Sequence, residues 1–272
     1  MRGLLLFAVV LLLMAMQSAF AAHPMWAKKA TAFPELCHPG KTRECKPVRI
    51  PAPDGKSNVE VRYRKDFGNS AYDWVLQAYL LVTTPGASAR EAALTEDFPA
   101  SGYYNVELLW SPDSHAFFVN GSNAGVWDSM YVYLADDPTE PRNITEEAQH
   151  DMLKDFPPCK AAYPNAVDAG GCEKSSRTAD EEICAKGQLD PKYNPDYNMV
   201  GIDWVNASTI LVMAEVPCDT SQGGIMCQVM GYELQVPTGR IIERIDAKHL
   251  KLEWQKSMAW KFRIPDPPRY CE

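Results

Sequence analysis

The residues best suited to chemistry sit close together in one stretch, Trp110-Ser111-Pro112-Asp113-Ser114-His115. A serine beside a histidine invites a nucleophile–base reading. Neighbouring residues at a strand edge point to opposite faces, so Ser114 and His115 do not form such a pair with each other. Asp113 falls in a Ser-Pro-Asp turn, where an aspartate bonds its own backbone. Asp136-Asp137 is a carboxylate pair of the type that does acid–base work in clefts, but it stands at a turn and reads as solvated. No G-x-S-x-G occurs. The nearest context, Gly68-Asn69-Ser70-Ala71, lacks the closing glycine. His23, His38, His115, His150 and His249 are isolated, with no H-E-x-x-H and no EF-hand spacing. The residues thus offer no catalytic set, no metal ligand set and no cofactor motif.

One residue is a candidate for binding. Trp127 lies in a Gly-containing loop, Gly121 to Asp128, where an exposed aromatic could meet a glycan or a peptide. Three N-x-S/T sequons are present, at Asn120, Asn143 and Asn206. All three coincide with expected turns or strand ends, so their structural reading comes first.

The elements that position these residues follow a secretory leader. Arg2 precedes an apolar run from Leu4 to Met16, and Ala19 and Ala21 sit at the A-x-A positions of a cleavage site. Residues 1–21 are therefore expected to be removed. The run is short for a bilayer span, and no later run approaches that length, so no membrane span is expected after cleavage. Removal of Arg2 takes the net charge from −8 to −9. That balance argues against a nucleic-acid partner. Eight cysteines follow the leader, an even count that implies disulfides outside the cytoplasm. Cys37 with Cys45 and Cys218 with Cys227 would close short loops. Cys159, Cys172, Cys184 and Cys271 can join in three ways, and spacing does not choose.

Residues 22–46 read as an irregular arm. A β-rich domain is expected over 47–264. Its strands are Val48–Pro51, Asn58–Arg64, Trp74–Thr83, Val106–Trp110, His115–Asn120, Ser129–Ala135 and a short Arg142–Thr145. Ala89–Thr95 reads as an outer strand, with a helix over Ala87–Asp97 as the alternative. Asn58–Arg64 alternates, with Val59, Val61 and Tyr63 on one face and Glu60, Arg62 and Arg64 on the other. Both faces of Ser129–Ala135 are apolar, so both should be covered. A helix starts near Asn143. The Cys-rich insertion, 146–198, carries a short helix after the capping pattern at Thr178-Ala-Asp-Glu181. Strands resume at Val200–Trp204, Thr209–Val216, Cys227–Gln235 and Arg240–Ile245. Leu250–Trp254 with Met258–Ile264 reads as a further hairpin, and 265–272 as an extended tail.

Three segments share one order: strand, tight turn, strand, long loop, strand, turn, short strand. Their first turns align at Asp54, Asp113 and Asn206, and half of the order returns around Gln255. A four-stranded unit recurring at roughly 40–50 residues marks propeller blades. The segment VELLWSPDSHAFFVNGS with DSMYVYLADDPTEPRNIT resembles the Trp-Ser-Pro-Asp β-propeller repeat of TolB-like periplasmic proteins and prolyl-oligopeptidase relatives. Trp110 to Asp113 carries the core motif, Tyr131 to Leu134 the third strand, and Asn143 to Thr145 the blade end. GIDWVNASTILVMAEV follows the plan with Val205-Asn206-Ala207 in place of Ser-Pro-Asp. IPAPDGKSNVEVRYR keeps Pro-Asp-Gly-Lys without the Trp. The resemblance implies an all-β, open or incomplete β-propeller of antiparallel four-stranded units, with a β-sandwich as the alternative. Trp110, Trp204 and Trp254 would then be packing residues at one blade position. For function it implies a periplasmic or secreted, non-enzymatic binding or scaffold protein with an unknown protein or glycan partner. The alternative is an extracytoplasmic hydrolase acting on peptide or glycan through an unrecognised site.

Overall fold

The structure, a computed structural model, describes residues 24–34, 36–37, 46–65, 76–92, 94, 105–122, 128–154, 198–217 and 226–259. The expected leader, the helix after Thr178, the C-terminal tail and Trp127 lie outside the described residues. So do all the cysteines except Cys37 and the backbone of Cys227.

The described chain is mostly β, in three antiparallel sheets. Sheet 1 holds β2 (Leu36–Cys37), β3 (Val48–Pro51), β4 (Asn58–Lys65), β5 (Leu76–Thr83) and β6 (Arg90–Ala92). Its order is β2-β5-β4-β3, and β6 also pairs with β5. Sheet 2 runs β1 (Thr31–Pro34), β7 (Asn105–Trp110), β8 (Ala116–Ser122), β9 (Asp128–Leu134) and β10 (Asp137–Arg142). Sheet 3 runs β11 (Asn198–Asn206), β12 (Thr209–Pro217), β13 (Met226–Gln235) and β14 (Ile241–Asp246). Two helices are present, α1 (Glu146–Lys154) and α2 (Ala247–Trp254).

The sheets stack face to face because the middle sheet sends apolar residues to both of its sides. In β8, Phe117 and Val119 enter the core shared with sheet 1, while Phe118 enters the core shared with sheet 3. In β9, Tyr133 faces the first core, and Met130 and Val132 face the second. Sheet 1 stands at one end of the stack. Val59 and Val61 point into its core, and Arg62 and Arg64 remain exposed. That matches the alternation in the sequence. The far face of sheet 3 is covered by α2, through Leu250 and Trp254.

Three expectations need correction, and one open alternative is decided. Leu250–Trp254 is helix, not strand. Asp246 caps it by accepting from the N–H of His249 at 2.9 Å, and Leu250 and Trp254, four apart, bury one face. Trp254 consequently does not share the position of Trp110 and Trp204. The arm at 22–46 is not wholly irregular, since β1 pairs with β7 and β2 with β5. The last strand of sheet 2 is Asp137–Arg142, and Asn143 to Thr145 lead into α1. Its two prolines read as a turn, but β10 is an edge strand, where proline is tolerated. Finally, Arg90–Ala92 is strand, which decides between the two readings of that segment.

Candidate functional site

Among the polar side chains that the fold gathers most tightly, Asn120 stands out by motif, as a sequon, and Glu107 and Asp203 do not. Glu107 sits mid-strand in β7, between Val106 and Leu108, which enter the core shared with sheet 1. It therefore points the other way, toward sheet 3, and has no exposed surface. Its carboxylate accepts from three successive backbone N–H groups of the arm. These are Met25 at 2.7 Å, Trp26 at 3.2 Å and Ala27 at 2.9 Å. Successive N–H groups of this kind make a concavity that favours an anion. Asn120, directly across on β8, donates from Nδ2 to Glu107 at 2.8 Å and to the Gly201 carbonyl at 2.8 Å. Its Oδ1 accepts from the Gly201 N–H at 2.8 Å. Gly201 makes that approach feasible. A Cβ there would lie 2.8 Å from the Met130 sulfur and 2.9 Å from the Phe118 ring.

Two residues further along β11, Asp203 continues the network. Oδ2 accepts from Lys29 Nζ at 2.7 Å and Ser257 Oγ at 2.8 Å, and Oδ1 accepts from the Trp204 N–H at 2.9 Å. The arm and the end of α2 also meet through backbone. Lys28 N donates to Ser257 O, and Ala259 N to Trp26 O, both at 2.8 Å. Burial pushes the Glu107 carboxyl above its ordinary range, opposed by the N–H of Ala27, the Asn120 amide and the other arm N–H groups. The cluster is closed and hydrogen-bonded within itself. It can hold two sheets and both ends of the described chain together.

A second, open feature lies along β14 and α2. It is a depression of about 430 Å³ lined by Met230, Glu243, Arg244, Ile245, Asp246, His249 and Glu253. His249 Nδ1 lies 2.9 Å from Asp246 Oδ1. The Asp246 carboxyl is held below its usual range by the backbone N–H and then the ring of His249. Glu233 is pushed up by burial first, then by Glu243 and Glu253. Arg244 is turned to Asp151 at 3.2 Å. Among the described residues, the lining supplies a His–carboxylate pair but no serine, threonine or cysteine. Among the described residues no group of three or more His, Cys, Asp or Glu is placed to hold a metal ion.

The turn residues have the roles their types suggest. Asp113 Oδ1 accepts from Ser111 Oγ at 2.7 Å and the His115 N–H at 3.1 Å. Asp54 Oδ1 accepts from the Lys56 and Ser57 N–H groups at 2.8 Å. Asn206 Oδ1 accepts from the Ser208 N–H at 2.9 Å. Gly55 and Ser114 follow their aspartates with the same φ of 66°, so the first two turns match in backbone as well. Ser114 is buried and its Oγ accepts from the Asp54 N–H at 3.0 Å, while His115 is exposed. That contact links the first turns of sheets 1 and 2. Asp136 and Asp137 are exposed at their turn. Cys37 is buried and disulfide-bonded.

Glu107 had one signal in the sequence. A polar residue opposite Val106, Leu108 and Trp110, in a unit covered on both faces, must be buried. No helix among the described residues is long and apolar enough to cross a membrane. No family model, curated protein or solved structure matches this chain.

Proposed function

We propose that the chain is an extracytoplasmic, non-enzymatic binding or scaffold protein, and that its three sheets are blades of an open, incomplete propeller. The reading rests on the two-ended build of the stack. Tight turns gather at one end, where the Asp54 turn meets the Ser114 turn and Trp110 reaches Ile50. Residues 66–75, 123–127 and 218–225 join second to third strands, and 95–104 and 155–197 lead into β7 and β11. All five meet the sheets at the opposite end. Long connections on a rigid frame are where binding residues concentrate. Trp127 falls among them.

The partner is a protein or a glycan. The expected leader and the cysteine count support a location in the periplasm or outside the cell. A pull-down with the mature chain from its own envelope fraction tests this. A partner recovered by the wild type and lost with Trp127→Ala is the expected result. No partner, together with hydrolysis of a peptide and glycan panel, would reject the binding reading in favour of a hydrolase.

A further inference from the structure

The three sequons are equivalent in sequence but not in the fold. N-linked modification needs the asparagine Nδ2 and open space beyond it. At Asn120 neither is free. The residue has no exposed surface, and its two Nδ2 hydrogens go to Glu107 and to the Gly201 carbonyl. Asn143 and Asn206 are exposed. In each, Oδ1 accepts from the backbone and the hydroxyl of the residue two places on. The distances are 3.0 and 2.8 Å for Thr145, and 2.9 and 3.2 Å for Ser208. These turns use Oδ1 and make no demand on Nδ2.

The two exposed sites also share one end of the stack. Asn206 lies in the first tight turn of sheet 3, between β11 and β12. Asn143 precedes Ile144, whose carbonyl lies against Gly239 in the turn between β13 and β14. A Cβ on Gly239 would fall 2.5 Å from that carbonyl oxygen. Both turns belong to the tight-turn end.

We propose that Asn143 and Asn206 are N-glycan acceptors and that Asn120 is barred by the fold. The inference rests on the export reading above and extends it. Sugar at the tight-turn end leaves the long-connection end clear for a partner. The donor is an oligosaccharide linked through its C1 to a lipid diphosphate. A bond forms between Nδ2 and C1, and the C1–O bond breaks. The diphosphate leaves with the bonding pair, and the amide gives up one proton.

The chain is expressed in a glycosylating secretory host, behind its own leader and, in parallel, behind a proven one. Secreted, folded protein is digested and each sequon peptide is weighed before and after enzymatic glycan release. Glycan is expected on Asn143 and Asn206 and not on Asn120. Asn143→Gln and Asn206→Gln should each remove the mass of one glycan. Glycan on Asn120 in folded protein would overturn the proposal. So would bare Asn143 or Asn206 beside a fully modified control glycoprotein. Secretion only from the proven leader would strike the export reading alone, since the sites are still read from that arm.

Discussion

Trp204 donates its indole N–H to the Leu109 carbonyl at 3.3 Å, fastening β11 of sheet 3 to β7 of sheet 2. Trp110 makes the same reach one sheet earlier, to the Ile50 carbonyl at 3.2 Å. The repeat is therefore also a repeated joint. Trp204→Phe keeps most of the buried ring and removes the donor, which should cost about 1 kcal/mol. Trp204→Ala also opens a cavity and should cost about 3–5 kcal/mol. Urea unfolding of the two variants measures both. A Phe variant as stable as wild type would show that the hydrogen bond does not help join the sheets.

Gly231 fixes how closely α2 lies on sheet 3. A Cβ at that position would run into Leu250 Cδ1 and come within 2.8 Å of the Trp254 ring. Gly231→Ala should displace α2 and cost about 1–3 kcal/mol, the usual range for overpacking. Tryptophan fluorescence and urea midpoints check this. Gly55→Ala is the contrast, since nothing lies within 4 Å of its Cβ position and only its φ of 66° opposes the change. If Gly231→Ala leaves the Trp254 environment and the midpoint unchanged, the helix does not dock as described.

Periodicity made the strands legible because the two faces of β4 differ in polarity and those of β9 do not. The first turns were legible because Asp54, Asp113 and Asn206 impose their own backbone bonds. What stayed hidden depended on contacts distant in sequence. Helix α2 resembles a strand in the sequence because Leu250 and Leu252 also alternate. Leu252 is 72% exposed, so that alternation carried no core. The arm gave no pattern because β1 does not alternate, since its neighbours Ala32 and Phe33 are both buried. Glu107 was legible as a buried position, but its three backbone donors come from 80 or more residues away.

Glu107 should give stability a recognisable pH dependence. Its carboxyl is raised above 4.5 in the folded chain, so the folded state holds the proton to higher pH than the unfolded state does. Stability from this group is then full below about pH 4.5 and is lost as pH rises through the raised value. Glu107→Gln lacks this titration. Between about pH 4.5 and pH 7.5 the wild type should lose stability relative to Glu107→Gln. Other carboxylates, Glu233 among them, cancel in that difference. Urea unfolding of both proteins at the two pH values gives the sign. A relative gain for the wild type at the higher pH would mean that the arm N–H groups outweigh burial.

Asp203 and Lys29 form one contact, but the two ends should not count equally. Lys29 is 65% exposed, whereas Asp203 is 11% exposed at the side chain and serves two further donors. Lys29→Ala removes a partly solvated ion pair, and such pairs are worth about 0–1 kcal/mol. Asp203→Ala leaves Ser257 Oγ and the Trp204 N–H without their acceptor, at about 1–3 kcal/mol for a buried orphan. Because Asp203 touches both the arm and the end of α2, its loss should loosen the two together. Amide hydrogen exchange reads this directly. Lys28 N–H, which donates to Ser257, and Ala259 N–H, which donates to Trp26, should both speed up in Asp203→Ala and change little in Lys29→Ala. Faster exchange at only one of the two amides would mean that the arm and the C-terminal turn open independently, and that Asp203 does not couple them.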